Sequence, residues 1–532
     1  MNGPRNLVLV VTVVIFAAGF CSASDIYIAQ NAAGNANGAD CADAYAVTWF
    51  NSGANWGSNQ GQIGPGITVH LCGIFNAPAG ANKYLAFQGG GNSANPITLL
   101  FESGAVLTAT YWSGPAITAN GNSYITINGG TNGTIQATAN GTGLANQQDN
   151  GIGVYLAGSN NSQVENLSVS NLYVHTCTLP ITNCTDEGGQ NTYGIMWIGG
   201  SNVQIGPNNT VHDMKWCAFY GYKATTNAQI FQNTLYHCDH GVVFGDAAAA
   251  QTTGSPTATC GSSNGNMICQ NTIYDGGNWD DNGDENHHDG IHTWANNAPT
   301  SNYYVMISDN YIYGNWGADM GSLIYIESDE QAIPVVNNVL APTFSPIAGT
   351  GILGVATGSG VGGTGVQILN NTIVGASSSN QQCGIAISTT TNPVLENNIV
   401  TNTGTGVFIN PNGSVTGTVS NFNDYYNIGT ANPFYCPGHP GVPFGQWQSA
   451  CGFDADGTAG NPLLTATYHL TNSSSAAWQT ATNLHSLGIT TLDSDKNGVA
   501  RQTTGPWDIG AYEDSETGAP PAPPTGLTAV VQ

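Results

Sequence analysis

Gln270-Asn271-Thr272-Ile273, Asp309-Asn310-Tyr311-Ile312 and Asn370-Asn371-Thr372-Ile373 are versions of one phrase, an asparagine-centred turn leading into β-branched or aromatic residues. Between Thr126 and Tyr425 it occurs ten times, centred on Asn132, Asn171, Asn209, Asn233, Asn271, Asn310, Asn338, Asn371, Asn398 and Asn423, at spacings of 24 to 39 residues. A unit that short cannot bury its own apolar face, so successive copies must stack to share a core. A second phrase lies between the copies, a glycine followed by alternating apolar residues: Gly151-Ile152-Gly153-Val154, Gly241-Val242-Val243-Phe244, Gly290-Ile291-His292-Thr293, Gly384-Ile385-Ala386-Ile387 and Gly406-Val407-Phe408-Ile409. Period-two runs bounded by Gly, Asn and Ser are strand signals, and no long 3.6-residue stripe accompanies them. Each coil therefore holds at least two short strands, each pairing in parallel with its equivalent one coil later. Ten coils at about 4.8 Å make a rod roughly 50 Å long. Asparagine suits a corner because it tolerates the left-handed conformation and can bond to the asparagines above and below as a ladder. The alternative is an all-β sandwich in which asparagine is ordinary turn chemistry.

The alternation of Asn-Asn-Thr-Ile and Gly-Ile-x-Ile phrases resembles the right-handed parallel β-helix proteins of the pectate-lyase-like superfold. The resemblance covers Tyr124 to Asn427, with weaker coils back to Ile67. It implies an all-β solenoid of about ten or more coils. It does not imply one activity, because this scaffold carries lyases, glycosidases, epimerases, tailspikes and non-catalytic adhesins.

Lys and Arg total 6 against 32 Asp and Glu, a net charge of −26, and 71 residues are Gly. Hydrophobic content of 40% is too high for a disordered chain. The charge excludes a general affinity for nucleic acid or anionic membrane. A polyuronate would need a metal ion or a local cationic cluster to bind. At the N-terminus, Arg5, the apolar run Leu7–Phe20 and Cys21-Ser22-Ala23 read as a secretory signal peptide over 1–23. That run is too short to span a bilayer comfortably, and no later segment is apolar enough. Cys21 is the alternative site of lipidation, but Phe20 stands where such signals carry a small residue. The remaining cysteines, expected in an oxidising compartment, suggest local pairs: Cys41 with Cys72, Cys177 with Cys184, Cys217 with Cys238, Cys260 with Cys269, and Cys436 with Cys451, leaving Cys383 alone. Spacing does not determine connectivity.

The β-helix is expected over 24–460, with a different segment over 461–514. Asp493-Ser-Asp-Lys-Asn-Gly498, Arg501 and Trp507-Asp508-Ile-Gly-Ala-Tyr-Glu513 resemble the closing segment of many bacterial surface β-helix proteins. The resemblance implies that Arg501 pairs with Asp508 or Glu513 and caps the solenoid. Asp493, Asp495 and Asn497 also match the opening of a calcium loop, without the closing glutamate, so a plain turn is the competing reading. Residues 515–532 form a proline-rich linker and the start of a fibronectin-III-like strand.

Chemistry is expected where ionisable residues crowd one stretch. Asp280-Asp281-Asn282-Gly283-Asp284-Glu285-Asn286-His287-His288-Asp289-Gly290-Ile291-His292 holds five carboxylates and three histidines. If Ile291 points inward, the pleat turns His292 outward, and by the same rule Ile324 and Ile326 inside put Tyr325 and Glu327 outside one coil later. Lys223 lies near the outer end of the equivalent strand two coils earlier. The candidate catalytic set is Asp289, His292, Asp281, His288, Tyr325, Glu327 and Lys223. Paired carboxylates would suit a glycosidase, and His292 with Tyr325 would suit β-elimination. Asp280, Asn282 and Asp284, at alternate positions, would suit Ca²⁺. Trp279, Trp294 and Trp316 are candidate sugar-stacking surfaces, and each could equally plug the core. The Asp-Gly-Ile-His phrase resembles the acid-bearing strand of β-helix glycosidases and lyases. The central coils carry no Arg, however, and neither Asp-Pro-His-Asp nor Arg-x-Lys occurs, which counts against the pectate lyase arginine base, the alginate epimerases and the polygalacturonase-like hydrolases. The sequence thus points to a carbohydrate-active protein on a polysaccharide, expected as a secreted or cell-surface monomer. The competing reading is a non-catalytic glycan-binding or spacer β-helix, in which the acidic stretch is a solvated loop.

Overall fold

The computed structural model describes residues 25–139, 150–172, 192–246, 252–253, 255–262, 264–279, 287–295, 302–303, 305–317, 320–327, 331–344, 351–355, 363–379, 382–412 and 415–514. The signal-peptide and linker expectations, and the Cys177–Cys184 pair, lie outside these residues. The chain winds into a right-handed parallel β-helix, the hand expected of crossovers between parallel strands. The coils begin at Ile26–Ala29, well before Ile67. The first face is a 14-stranded parallel sheet. The other strands form two further faces, which fuse where Thr210–Thr226 and Thr234–Asp246 run around the corner without a break. Inward Ile, Val, Leu and Phe from all three faces form one continuous core.

The asparagine ladder runs from Asn209 through Asn233, Asn271, Asn310, Asn338, Asn371 and Asn398 to Asn423. Each Nδ2 donates to the next Oδ1 at 2.9–3.1 Å. Each Oδ1 also accepts the preceding asparagine's backbone N–H, so the stack closes on itself. It ends on Asp454, a residue that only accepts when ionised and takes Asn423 Nδ2 at 2.8 Å and Trp447 Nε1 at 2.7 Å. The left-handed corner and the ladder are different positions. Gln232, Gln270, Asp309, Asn337, Asn370 and Asn397, each immediately before a ladder asparagine, have φ between 52° and 60°. Asn132 and Asn171 share the phrase but not the ladder: Asn132 is exposed and accepts from Gly104 N–H, while Asn171 is itself left-handed. On the second face His212, Tyr236, Tyr274 and Tyr313 stack ring on ring at 4.5–5.0 Å.

Aromatic plugs close both ends. Phe50, Trp56 and Phe87 pack at the start beside the Cys41–Cys72 disulfide, and Trp447 of the helix Phe444–Ser449 packs on Phe434 beside Cys436–Cys451. Cys260–Cys269 is the third disulfide among the described residues. The Cys217–Cys238 pair does not form. A register shift sets Cys238 beside Met214 and Cys217 beside His240, and both thiols are buried and free, as is Cys383.

The segment 461–514 does not cap the rod but lies along its side, across the left-handed corners of four coils. Lys496 Nζ bonds Asp309 O, Arg501 Nη1 bonds Asn337 Oδ1 at 2.9 Å, and Asn370 and Asn397 donate to Gly510 O and Thr482 O. The side position follows from those corners, whose polar side chains point outward and need partners. Arg501 Nε lies 3.5 Å from Glu513 and its guanidinium covers the Trp507 ring. Asp495 accepts Asn497, Val499 and Glu513 N–H groups, the pattern of a turn.

Asp424 supplies a pH test of the core. Burial pushes its carboxyl up to about 8. A carboxyl raised above its unfolded value takes up a proton on folding, so its cost to stability grows as pH rises from 3.8 to about 8. Asp424→Asn is therefore expected to raise the urea midpoint at pH 8, with the gain shrinking by up to about 1.4 kcal/mol per pH unit on acidification through that window. Equal midpoints at pH 8 would contradict this assignment.

Candidate functional site

The site grows from the residue that precedes the strand glycine. Gly241 and Gly290 leave no room for a side chain: a Cβ on Gly241 would meet Gly290 O at 2.5 Å, and one on Gly290 would meet Leu323 O at 2.5 Å. This close approach stacks the preceding residues in register, Cys217 on His240 on Asp289. Two positions later Ile291 points into the core, and the next column outward runs Tyr220, Val243, His292, Tyr325.

The result is a carboxylate enclosed by imidazoles. Asp289 is fully buried, and its Oδ2 lies 2.6 Å from His287 Nδ1, 3.4 Å from His240 Nε2 and 3.5 Å from His292 Nδ1. Its Oδ1 accepts Ser322 N–H at 2.7 Å. The other nitrogen of His292, Nε2, lies 3.0 Å from Glu327 Oε2. The Tyr325 ring lies 5.0 Å from His292 and 5.7 Å from His287. His240 and Asp289 are sealed inside, whereas the His287 side chain is 46% exposed and that of Glu327 33%, so the centre opens to solvent on their side.

Burial alone would raise Asp289, but the charge of His287 and its hydrogen bond, the His240 imidazole 3.4 Å away and the charge of His292 outweigh it, and the carboxyl stays well below the usual range. His287 is raised, chiefly by the charge of Asp289. His240 is pushed down to about 4 by burial. Glu327 is lowered by its hydrogen bond with His292.

Of the candidates read from sequence, the fold brings Asp289, His292, Tyr325 and Glu327 together. His288 belongs elsewhere: it is fully buried against Trp316, with Nδ1 3.1 Å from Trp316 O. Trp316 is likewise no sugar platform, because it is fully buried and its Nε1 donates to Tyr313 O at 2.9 Å. Trp294 is half-buried on the same face as the site, 5.9 Å from Tyr222. Tyr222, Tyr220 and Tyr193 continue from it as an aromatic band at 6.2 and 5.2 Å. Lys223 lies on the strand Thr210–Thr226, but its side chain, like that of Trp279, is outside the described residues. Asp280, Asp281, Asn282 and Asp284 are also outside them. His287 and His240 were not singled out from the sequence. Aligning the residue before each strand glycine would have set His240 on Asp289.

No family model matches the chain, and no curated protein matches it in sequence. Solved structures do. The chain is similar to the GH136 lacto-N-biosidase from Eubacterium ramulus, with a TM-score of 0.45 and 10% identity over 79% of this chain and 66% of that one. It is similar to pectate lyase Pel9A, with a TM-score of 0.40 and 13% identity over 93% and 100%. It is also similar to a mannuronic acid specific polysaccharide family 6 lyase from human gut microbiota, at 0.40 and 11% over 69% and 76%. This chain spans just under two thirds of the lacto-N-biosidase's length. These are likenesses of fold alone. No helix among the described residues is long and apolar enough to cross a membrane.

Proposed function

We propose that this chain is a secreted, carbohydrate-active β-helix enzyme that cleaves an acidic polysaccharide by β-elimination at the Asp289 centre. The observation that carries the reading is the convergence of His287, His292, Glu327 and the Tyr325 ring around one buried carboxylate on an outward face. In a chain of net charge −26, these imidazoles form a local group able to receive a sugar carboxylate. The Tyr325 oxygen takes the proton from the carbon next to that carboxylate as its own hydroxyl proton passes to the leaving glycosidic oxygen, whose bond to the sugar breaks, so the tyrosine ends as it began. The products are a new reducing end and an unsaturated sugar. His292 is a positioning residue, since carboxylates face both of its nitrogens. A hydrolase built on Asp289 and Glu327 is less well supported. Imidazoles engage both carboxylates and favour their ionised form, which leaves neither one suited to donate a proton. The band Trp294, Tyr222, Tyr220 and Tyr193 supports sugar stacking along the rod. Three disulfides among the described residues and the Leu7–Phe20 run support export.

The test is absorbance at about 235 nm, where the unsaturated product of β-elimination absorbs, across plant and bacterial polysaccharides. Tyr325→Phe is expected to keep the fold and lower kcat by about 10²–10⁴-fold, and His287→Ala to act mainly on KM. Reducing ends without unsaturated product would make the enzyme a hydrolase. No cleavage of any polymer would favour a binding or spacer role.

A further inference from the structure

We infer that the same centre is a binding site for one first-row divalent transition metal ion, held by His240, His287, Asp289 and His292. One ligand atom from each lies within 4.8 Å of all the others. A tetrahedral ion with bonds of about 2.0–2.1 Å sets its ligand atoms about 3.3 Å apart. Two separations are already close to that value: His240 Nε2 and His292 Nδ1 lie 3.4 and 3.5 Å from Asp289 Oδ2. His287 would draw back from 2.6 Å by less than about 1 Å, and the wider pairs, up to 4.8 Å apart, would close by up to about 1.5 Å. His287 can do so because its side chain is 46% exposed.

Two further observations point to a ligand. His240 is fully buried, its Nε2 faces the cluster, and neither ring nitrogen has a hydrogen-bond partner among the described residues within the usual distance and angle limits. A buried imidazole left in that state is costly unless something else takes its lone pair. Glu327, in turn, meets His292 on Nε2, the nitrogen facing away from the cluster. A carboxylate there holds the proton on Nε2 and leaves the Nδ1 lone pair for a metal, the usual arrangement behind a ligating histidine.

Three imidazoles and one carboxylate select Zn²⁺, Co²⁺, Fe²⁺ or Mn²⁺ over Ca²⁺, which prefers six to eight oxygen ligands. The site is thus distinct from the calcium expectation at Asp280, Asn282 and Asp284. It stands without the cleavage reading, although a bound cation would supply positive charge for a sugar carboxylate.

The experiment is equilibrium titration of chelator-treated full-length protein with Zn²⁺, Co²⁺ and, separately, Ca²⁺, following metal content, Co²⁺ absorption in the visible and the thermal midpoint. One equivalent of Zn²⁺ or Co²⁺ is expected, with a tetrahedral Co²⁺ spectrum and a raised midpoint. His287→Ala, at the exposed ligand, should weaken binding at least 100-fold, read by titration well below its metal-free midpoint, which falls because buried Asp289 loses its 2.6 Å partner. Glu327→Gln should weaken it about 10- to 100-fold. The assignment is overturned if no first-row ion binds stoichiometrically, if His287→Ala binds as wild type does, or if Ca²⁺ binds the centre as tightly as Zn²⁺. Metal binding in a protein that cleaves nothing would leave this inference standing and remove the one before it.

Discussion

Asp289→Ala is expected to lower the rate of polysaccharide cleavage by about 10³-fold or more, the scale seen when the carboxylate that orients a catalytic histidine is lost. The substitution leaves three imidazoles facing one another with no charge between them, in a site where His240 and Asp289 are wholly enclosed. His287 loses the principal cause of its raised pKa, and Ser322 N–H loses its 2.7 Å acceptor. Breaking a buried charge cluster from one side also costs about 3–5 kcal/mol of stability. Asp289→Asn separates the two effects, because an amide oxygen can still accept from Ser322 but carries no charge. The expected order is Asn more stable than Ala, with both nearly inactive, read by urea midpoints and initial rates. An Asp289→Asn protein with wild-type activity would contradict the role given to the carboxylate.

The second large effect lies in the scaffold. Asn338 Nδ2 donates to Asn371 Oδ1 and Ile307 O, each at 3.0 Å, and its Oδ1 accepts both Asn310 N–H and Asn310 Nδ2 at 3.0 Å. The side chain is fully buried, so Asn338→Ala strands these partners inside the core. At about 1 kcal/mol for each lost bond and about 1–3 kcal/mol for each stranded group, a loss of about 4 kcal/mol or more is expected. Asn132→Ala, from the same sequence phrase but exposed and holding one N–H, should cost less than about 1 kcal/mol. Equal losses at the two positions would show that the ladder does not set stability.

That contrast marks what the sequence conveys. The Asn-x-Ile phrase announces a turn of solenoid, and the parallel β-helix is legible from it. Which asparagine joins the ladder is not, because Asn132, Asn171 and Asn338 look alike until register sets their burial. The outward placement of His292, Tyr325 and Glu327 followed from pleat alternation alone. His240 did not, since its partnership with Asp289 spans 49 residues and depends on the glycines at 241 and 290 bringing two backbones together. Trp316 takes the core-plug alternative and His288 leaves the catalytic set for a related reason: composition cannot distinguish a half-exposed tryptophan or histidine from one turned into the core, and the bond from His288 to Trp316 O joins them inside. The lateral course of 461–514 was hidden as well, because its partners are backbone and corner groups 85 or more residues away.

The most direct test of the account is the mass of the first cleavage product formed in ¹⁸O-labelled water. β-Elimination adds no solvent oxygen across the broken bond, so the account predicts an unsaturated fragment free of label. A saturated fragment carrying one ¹⁸O at its new reducing end, lost on Tyr325→Phe substitution, would show that the same centre hydrolyses its substrate and would contradict the mechanism.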